Sequence, residues 1–319
     1  MTLTFATPGS GAARSYIDLS QVASLVNRRF YRQGINWAVA GFKVSSTRTG
    51  SVNIFKLPNT WVMANAWEKG MRTWQKMNRE ALEENESIRP KFLDFKIYAD
   101  AAHHTAGYGA NLLPDSGGGV TFTAGEWESS KIVFQDNTAV PAAGLRDIEL
   151  IAVGASYPGG GASGLNAVSL IEGYAASRAL PDVLDPNAPL DADSAGGPQP
   201  ENWMAAMFND GTLITEQVLD DMISENNIAP YPFEGDGVHI DTQYPNGANQ
   251  GTGLQVHDVE LVSGTTIGGT TRLKGGNFPC GLMQLVIANT GAENLNFTLQ
   301  IDLVPGTHRG YLCEPMTEM

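Results

Sequence analysis

Apolar and polar positions alternate along much of this chain with the two-residue period of half-buried strands, and in a few stretches the period lengthens to that of a helix. Residues 35–46 and Ser51–Leu57 have the β-branched and aromatic content of strands, the second closed by Pro58. In Phe92–Tyr98, Leu93, Phe95 and Ile97 alternate with Asp94 and Lys96, the pattern of an antiparallel strand with one face on a core. Further strands are predicted at Lys131–Gln135, Ile148–Val153, Leu254–Val262, Leu282–Ala288 and Asn296–Val304. The clearest helix covers residues 61–84, where Met63, Trp67, Met71, Trp74 and Ala81 fall close to one face and Asn59 or Thr60 is placed to cap the start. A Trp and Met stripe at that spacing reads as a docking face against a sheet. Asp18 or Ser20 is placed to cap a short helical turn before Leu25. Residues 165–179 and 201–227 read as helical, with a Pro/Asp-rich loop between them.

Eight or nine strands separated by long connections suit two facing sheets around one core. The expected fold is therefore mainly β: a single eight-stranded jelly roll, a β-sandwich, with helical insertions. Strands and helices do not alternate regularly enough for a doubly wound sheet. Residues 1–15, rich in Thr, Gly, Ser and Ala, read as an extended N-terminal arm, and residues 16–319 as one domain with its insertions near 60–85 and 165–227.

Composition agrees with that outline and adds an electrical asymmetry. A chain of 319 residues, 42% hydrophobic, can bury a sizeable core, and 36 Gly with only 17% charged residues favours a turn-rich β architecture. No apolar run approaches the ~18 residues of a membrane-spanning helix, and the first twenty residues lack the basic and apolar regions of a secretory leader. The net charge of −14 is unevenly placed: residues 1–100 carry +6 and the remainder −20. Within the first 50 residues, Arg14, Arg28, Arg29, Arg32, Lys43 and Arg48 face one acid, Asp18. A basic end of this kind suits an anionic partner, while the acidic remainder repels nucleic acid.

The motifs point away from chemistry. Gly159, Gly161 and Gly164 form a GxGxxG between a predicted strand and a predicted helix, the setting of a dinucleotide phosphate loop. A second strand ending in an acid about 20 residues on is missing, since the chain enters the stretch from Pro181 to Pro200. The glycines therefore read as a flexible surface loop. Asp182, Asp185, Asn187, Asp191 and Asp193 are a weak calcium candidate without EF-hand spacing, and read as a solvated acidic loop. His103, His104, His239, His257 and His308 stand in no HExxH or HxH spacing, and no GxSxG occurs. The His103-His104 pair, with no identifiable partner acid, reads as structural. Cys280 and Cys313 lie in no CxxC and read as free thiols. The expectation is a protein with no catalytic residue, no metal and no cofactor, and not an enzyme.

Four blocks carry a family likeness: LVNRRFYRQG at 25–34, NAWEKGMRTW at 65–74, RPKFLDFKIYAD at 89–100 and DLVPGTHRGYL at 302–312. Over about a third of its length the chain resembles the capsid proteins of small circular single-stranded DNA viruses known from environmental sequencing. The resemblance implies a jelly-roll subunit of the virion that assembles with its own copies into an icosahedral shell around a single-stranded DNA genome. It implies no cofactor and no reaction, a weak and sequence-independent hold on the genome, and a host receptor as a further partner. Such proteins usually begin with a basic arm, and the first 13 residues here contain no Lys or Arg. The nearest substitute is Arg14 with Arg28, Arg29 and Arg32, interleaved with Phe30 and Tyr31, and followed by Lys43. Arginines pair with phosphates and aromatics stack on unpaired bases; the same residue types are enriched in subunit interfaces. Two other classes remain open: a jelly-roll carbohydrate-binding or adhesin module built on the Gly/Asn/Asp-rich loops, and a dinucleotide-binding enzyme built on the GxGxxG loop.

Overall fold

The first strand begins at the second residue. β1 (Thr2–Thr7) and β2 (Ala13–Asp18) lead into α1 (Leu19–Asn27), and β3 (Ile35–Ser45) and β4 (Gly50–Lys56) precede the long helix α2 (Trp61–Glu83). After α3 (Ala101–Ala106) come β5 (Lys131–Asp136), β6 (Gly144–Ile151), β7 (Ala167–Ser169) and α4 (Leu170–Arg178). The chain returns to strands in β8 (Gln255–Val262), β9 (Thr270–Phe278), β10 (Leu282–Asn289) and β11 (Phe297–Leu303), then in the short β12 (Pro305–Gly306), β13 (Gly310–Tyr311) and β14 (Cys313–Pro315). This computed structural model describes residues 1–7, 13–83, 87, 94–117, 119–136, 144–178, 253–265, 269–289 and 297–318. Contacts divide the chain into two units, one of Met1–Thr60, Ala106–Glu128 and Leu254–Met319, the other of Trp61–Thr105 and Ser129–Gly253.

The first unit is mainly β, with antiparallel sheets in a sandwich-like arrangement. One sheet runs β1-β11-β3-β9, with β14 beside the start of β3; the other runs β2-β10-β4-β8. Partners are nested: β1 takes β11, β2 takes β10, β3 takes β9 and β4 takes β8. Both sheets feed one core, in which Phe5, Trp37, Phe42, Leu299 and Ile301 meet Ile17, Val52, Ile54, Leu285 and Ile287. A break in register at Ala40 keeps both halves of β3 pointing inward: Asp302 pairs Gly41 but Leu303 pairs Val39, so Trp37 and Val39 share a face with Phe42 and Val44.

Residues 1–15, expected as an arm, instead supply a strand and the first half of a second. Leu3 and Phe5 are buried while Thr2 and Thr4 pair with Asp302 and Gln300, so the alternation is real although Thr and Ala dilute it. β9 was not expected, because its Gly275-Gly276 lowers strand propensity. The fold needs both glycines: a Cβ on Gly275 would lie 2.3 Å from the Val39 carbonyl oxygen at the β3 irregularity, and one on Gly276 would lie 2.8 Å from the His257 ring. α1 does start at Asp18, whose carboxylate accepts the Ser20 and Gln21 amides.

In the second unit β5 pairs β6 antiparallel, and β6 pairs β7 in parallel. α2 buries Met63, Ala66, Trp67 and Trp74, and both indoles meet Phe95, at ring distances of 5.9 and 5.6 Å. The Trp stripe is thus a docking face, but the indoles meet Phe95 on a segment that forms no ladder rather than the expected sheet. The strand expected over 92–98 differs: residues 94–97 form no ladder, and only Tyr98 bridges Ile151, although Phe95 and Ile97 are buried. The helix expected over 165–179 is preceded by β7, and the helices expected over 201–227 lie outside the described residues.

Phe5→Ala separates the strand from the arm. A free arm would tolerate it, whereas a buried Phe in a packed core costs about 3–5 kcal/mol; denaturant unfolding of the full chain is expected to show the larger loss.

Candidate functional site

The arginine loop is shaped by alternation between solvent and core. α1 ends at Arg28, whose φ of 53° turns the chain in the left-handed region. From there Arg28, Arg29, Phe30 and Arg32 are exposed while Tyr31 and Gln33 point inward. Tyr31, expected among the surface aromatics, is buried: its amide donates to Ser24 Oγ at 2.9 Å, and its ring packs on Trp37 and Tyr311 at 5.7 and 5.8 Å. Phe30 is the aromatic that remains, 51% exposed, its ring 6.3 Å from Trp127. Among the described residues no carboxylate pairs with Arg28, Arg29 or Arg32; Glu126 and Glu128 flank Trp127 at the surface.

Arg309 joins this group from the far end of the sequence. Its guanidinium donates to the Phe30 carbonyl and lies 5.9 Å from the centre of the Tyr31 ring, from a turn where Arg309 itself has φ 52°. No local pattern ties position 309 to position 30; an Arg beside a glycine in a short turn was the available signal. Two other expected members stand elsewhere. Arg14 is exposed on β2, four residues before Asp18 and so about 14 Å along the strand. Lys43 on β3 is engaged by Asp302 on β11 at 2.6 Å; the Lys43 and Thr2 hydrogen bonds hold that carboxyl below its usual range.

Beneath the loop Asp18 acts as its anchor. Its Oδ1 accepts the Ser20 and Gln21 amides at 2.8 and 3.2 Å, and its Oδ2 accepts Gln33 Nε2 at 2.9 Å and Trp127 Nε1 at 3.1 Å. One carboxylate thus joins the start of α1, the end of the arginine loop and the indole behind Phe30. Burial pushes this carboxyl up to about 6, against the pull of its four donors. The nearby Cys280 thiol is pushed well up by burial and by the Asp18 charge, and burial pushes Cys313 up to about 12. Neither is a reactive thiolate.

The GxGxxG glycines serve a different purpose from a phosphate loop. A Cβ on Gly161 would sit 2.5 Å from His104 Nε2 and 2.7 Å from the His104 carbonyl oxygen, so the glycine exists to let the loop close over that histidine. His104 does have a partner acid, Glu149 on β6, at 2.9 Å. Ser129 and Ser163 donate to the same carboxylate at 2.6 and 2.8 Å. Burial raises the Glu149 carboxyl, but the bonds from His104, Ser129 and Ser163 outweigh it and leave it below its ordinary value. His103 accepts the Ala99 amide at Nδ1. Both serine hydroxyls contact the acid rather than an imidazole, so the set lacks the order of a nucleophile and its base. His257 contacts the Lys274 carbonyl oxygen at 2.9 Å, and burial followed by the Arg309 charge lowers His308. Asp185, Asn187, Asp191, Asp193 and His239 lie outside the described residues. Among the described residues no three His, Cys, Asp or Glu side chains are grouped to hold a metal.

Compared with known proteins, the chain matches no family model, no curated sequence and no solved structure. The functional reading therefore rests on the geometry of the chain itself.

Two outcomes follow. A folded value near 6 against an ordinary 3.8 means that Asp18 favours the fold when protonated: this contribution is complete below pH 3.8 and is lost as pH rises through 6. Asp18→Asn keeps the helix cap but removes the titration, so its unfolding free energy, compared with wild type across that window, is expected to lack the loss. Gly161→Ala is expected to cost about 1–3 kcal/mol by overpacking against His104, read by thermal unfolding.

Proposed function

We propose that the chain is a structural subunit of a virion, a jelly-roll capsid protein whose copies assemble into an icosahedral shell around a single-stranded DNA genome. The observation that carries this reading is the nested pairing of the first unit. An eight-stranded antiparallel ribbon, first strand against last and fourth against fifth, rolled into two four-stranded sheets, is what a jelly roll requires, and β1–β4 against β11–β8 supply that order. The segmental resemblance to capsid proteins of small circular single-stranded DNA viruses points the same way. No described helix is long and apolar enough to cross a membrane.

The arginine loop supports the partners in this reading. Arg28, Arg29 and Arg32 are exposed and free of acids among the described residues, and Phe30 offers a ring face on which an unpaired base can stack. Contact with the genome is assigned to these side chains, and three arginines give a weak, salt-sensitive hold without sequence preference.

Sedimentation of the purified chain after nuclease treatment tests the assembly, with fast-sedimenting particles that protect DNA expected. Slow single chains at every concentration and ionic strength would refute the shell, and glycan binding by such single chains would favour the carbohydrate-binding class instead. Arg28→Ala with Arg29→Ala and Arg32→Ala is expected to leave the fold intact and lower the DNA per particle. It should also flatten the salt dependence of single-strand binding by about 2 units of log–log slope, at ~0.7 per lost phosphate contact. Particles that fill normally in the triple variant would rule out the contact.

A further inference from the structure

The loop over His104 is tied down in very few places. Gly154, Tyr157, Gly159 and Gly164 have φ of 96°, 60°, 101° and 78°, so its bends depend on left-handed backbone, and Pro158–Gly160 and Ala162–Gly164 are exposed. Two of its hydrogen bonds lie within the loop: Gly161 donates to the Leu165 carbonyl at 2.8 Å and Gly164 to the Gly161 carbonyl at 2.9 Å. Four described bonds leave residues 157–165: the Tyr157 amide donates to the Ala167 carbonyl at 2.8 Å, the Gly159 amide donates to Asn166 Oδ1 at 3.1 Å, and two reach the residues beneath the loop. The Ala162 amide donates to the His104 carbonyl at 3.2 Å, and Ser163 Oγ donates to Glu149 Oε2 at 2.8 Å. Below the loop His104 is wholly buried, and its Nδ1 has no hydrogen-bond partner. An unsatisfied buried nitrogen raises the cost of the closed state relative to one in which water reaches it.

We propose that residues 157–165 form a latch, held shut at neutral pH by the Glu149 carboxylate and opened at acid pH while β5, β6 and β7 stay paired, so that water reaches His104. Glu149 is the common acceptor of His104, Ser129 and Ser163, so one protonation weakens the loop tie, the helix tie and the tie to the segment leading into β5 together. The groups facing it set the direction. From α3, His104 donates to it directly, and its neighbour His103 is occupied by the Ala99 and Asp100 contacts. The Tyr98 ring lies edge-on to both histidines, at 5.1 and 5.2 Å. From β5, Lys131 is the register partner of Glu149, with an exposed side chain, and the stretch from Tyr157 to Leu165 carries no charged side chain. Protonating Glu149 removes the charged acceptor that His104, Ser129 and Ser163 share. Glu149 is held below its ordinary 4.5, and the stabilisation this gives is present above 4.5 and lost as pH falls through the folded value. The ladder of β6 with β5 and β7 contains no titrating bond and outlasts the loop.

Amide hydrogen exchange of the full chain, corrected for the intrinsic pH dependence of exchange, reads the latch directly. Protection of the 157–165 segment is expected to fall about tenfold or more between neutral pH and about pH 2.5, the scale of one lost charged hydrogen bond, while β6 keeps its protection. Glu149→Gln is expected to exchange at neutral pH as wild type does in acid, with no further change on acidification. Ser163→Ala, at an exposed position that leaves the His104 bond intact, is expected to shift the same way by less. Equal loop protection at both pH values, loss of β6 protection together with the loop, or wild-type loop protection in both variants at neutral pH would each overturn the latch.

Discussion

The first unit depends on the meeting of the two ends of the chain. Thr2 pairs with Asp302, Leu3 with Ile301 and Phe5 with Leu299, across some three hundred residues of intervening sequence. Closing a loop of that length in one step costs about 5 kcal/mol on the logarithmic scale of loop entropy. Burying Leu3 and Phe5 returns about 1.5–3 kcal/mol each, so β1 could do little more than break even alone. Nesting removes the difficulty. Once β4 holds β8, the segments that bring β9 to β3 are short, and each further pair closes against one already formed. The costly step is the innermost one, around the loop that contains the second unit, and the outer strands follow cheaply. The same order places all eight strands on a single core, with β1 and β9 at the edges of one four-stranded run and β2 and β8 at those of the other.

Asp18 is the polar counterpart of that nested core. Its carboxylate collects four donors from α1, Gln33 and Trp127, and thereby decides where the arginine loop leaves the sheet and what stands behind Phe30. The loop then displays three arginines that no carboxylate pairs with among the described residues, while Tyr31 and Gln33 turn inward. A second buried carboxylate, Glu149, gathers donors in the second unit. The two respond to acid in opposite senses, since burial dominates at Asp18 and hydrogen bonding at Glu149. The contrast does not follow from the number of donors, since Asp18 has four and Glu149 three; it follows from the heavier desolvation of Asp18.

Much of the fold was legible because alternation survives wherever side chains are large. β3, β4, β5, β8, β10, β11 and α2 lie close to their predicted positions, and Asp18 caps α1 as its place before Leu19 suggests. β1 was hidden because Thr and Ala flank its two buried residues, and β9 because its glycines answer to the Val39 carbonyl and the His257 ring, neighbours remote in sequence. The candidate surface was legible in its residue types, since charged side chains clustered near an exposed aromatic advertise themselves. The burial of Tyr31, the arrival of Arg309 and the pairing of Lys43 with Asp302 were not legible, because each depends on which strand lies beside which. The GxGxxG loop shows the same limit from the other side. Its glycines are spaced as a phosphate loop spaces them, yet Gly161 accommodates the ring and carbonyl of His104, and Gly159 and Gly164 make left-handed bends.

The central claim is that this chain builds a shell. Electron cryomicroscopy of the purified protein tests it most directly, because assembly and architecture are seen together. Closed particles whose subunits contain the rolled eight-stranded ribbon, with the loop from Arg28 to Arg32 against the packaged nucleic acid, are the predicted result. A field of separate single chains at high protein concentration and across ionic strengths would contradict it.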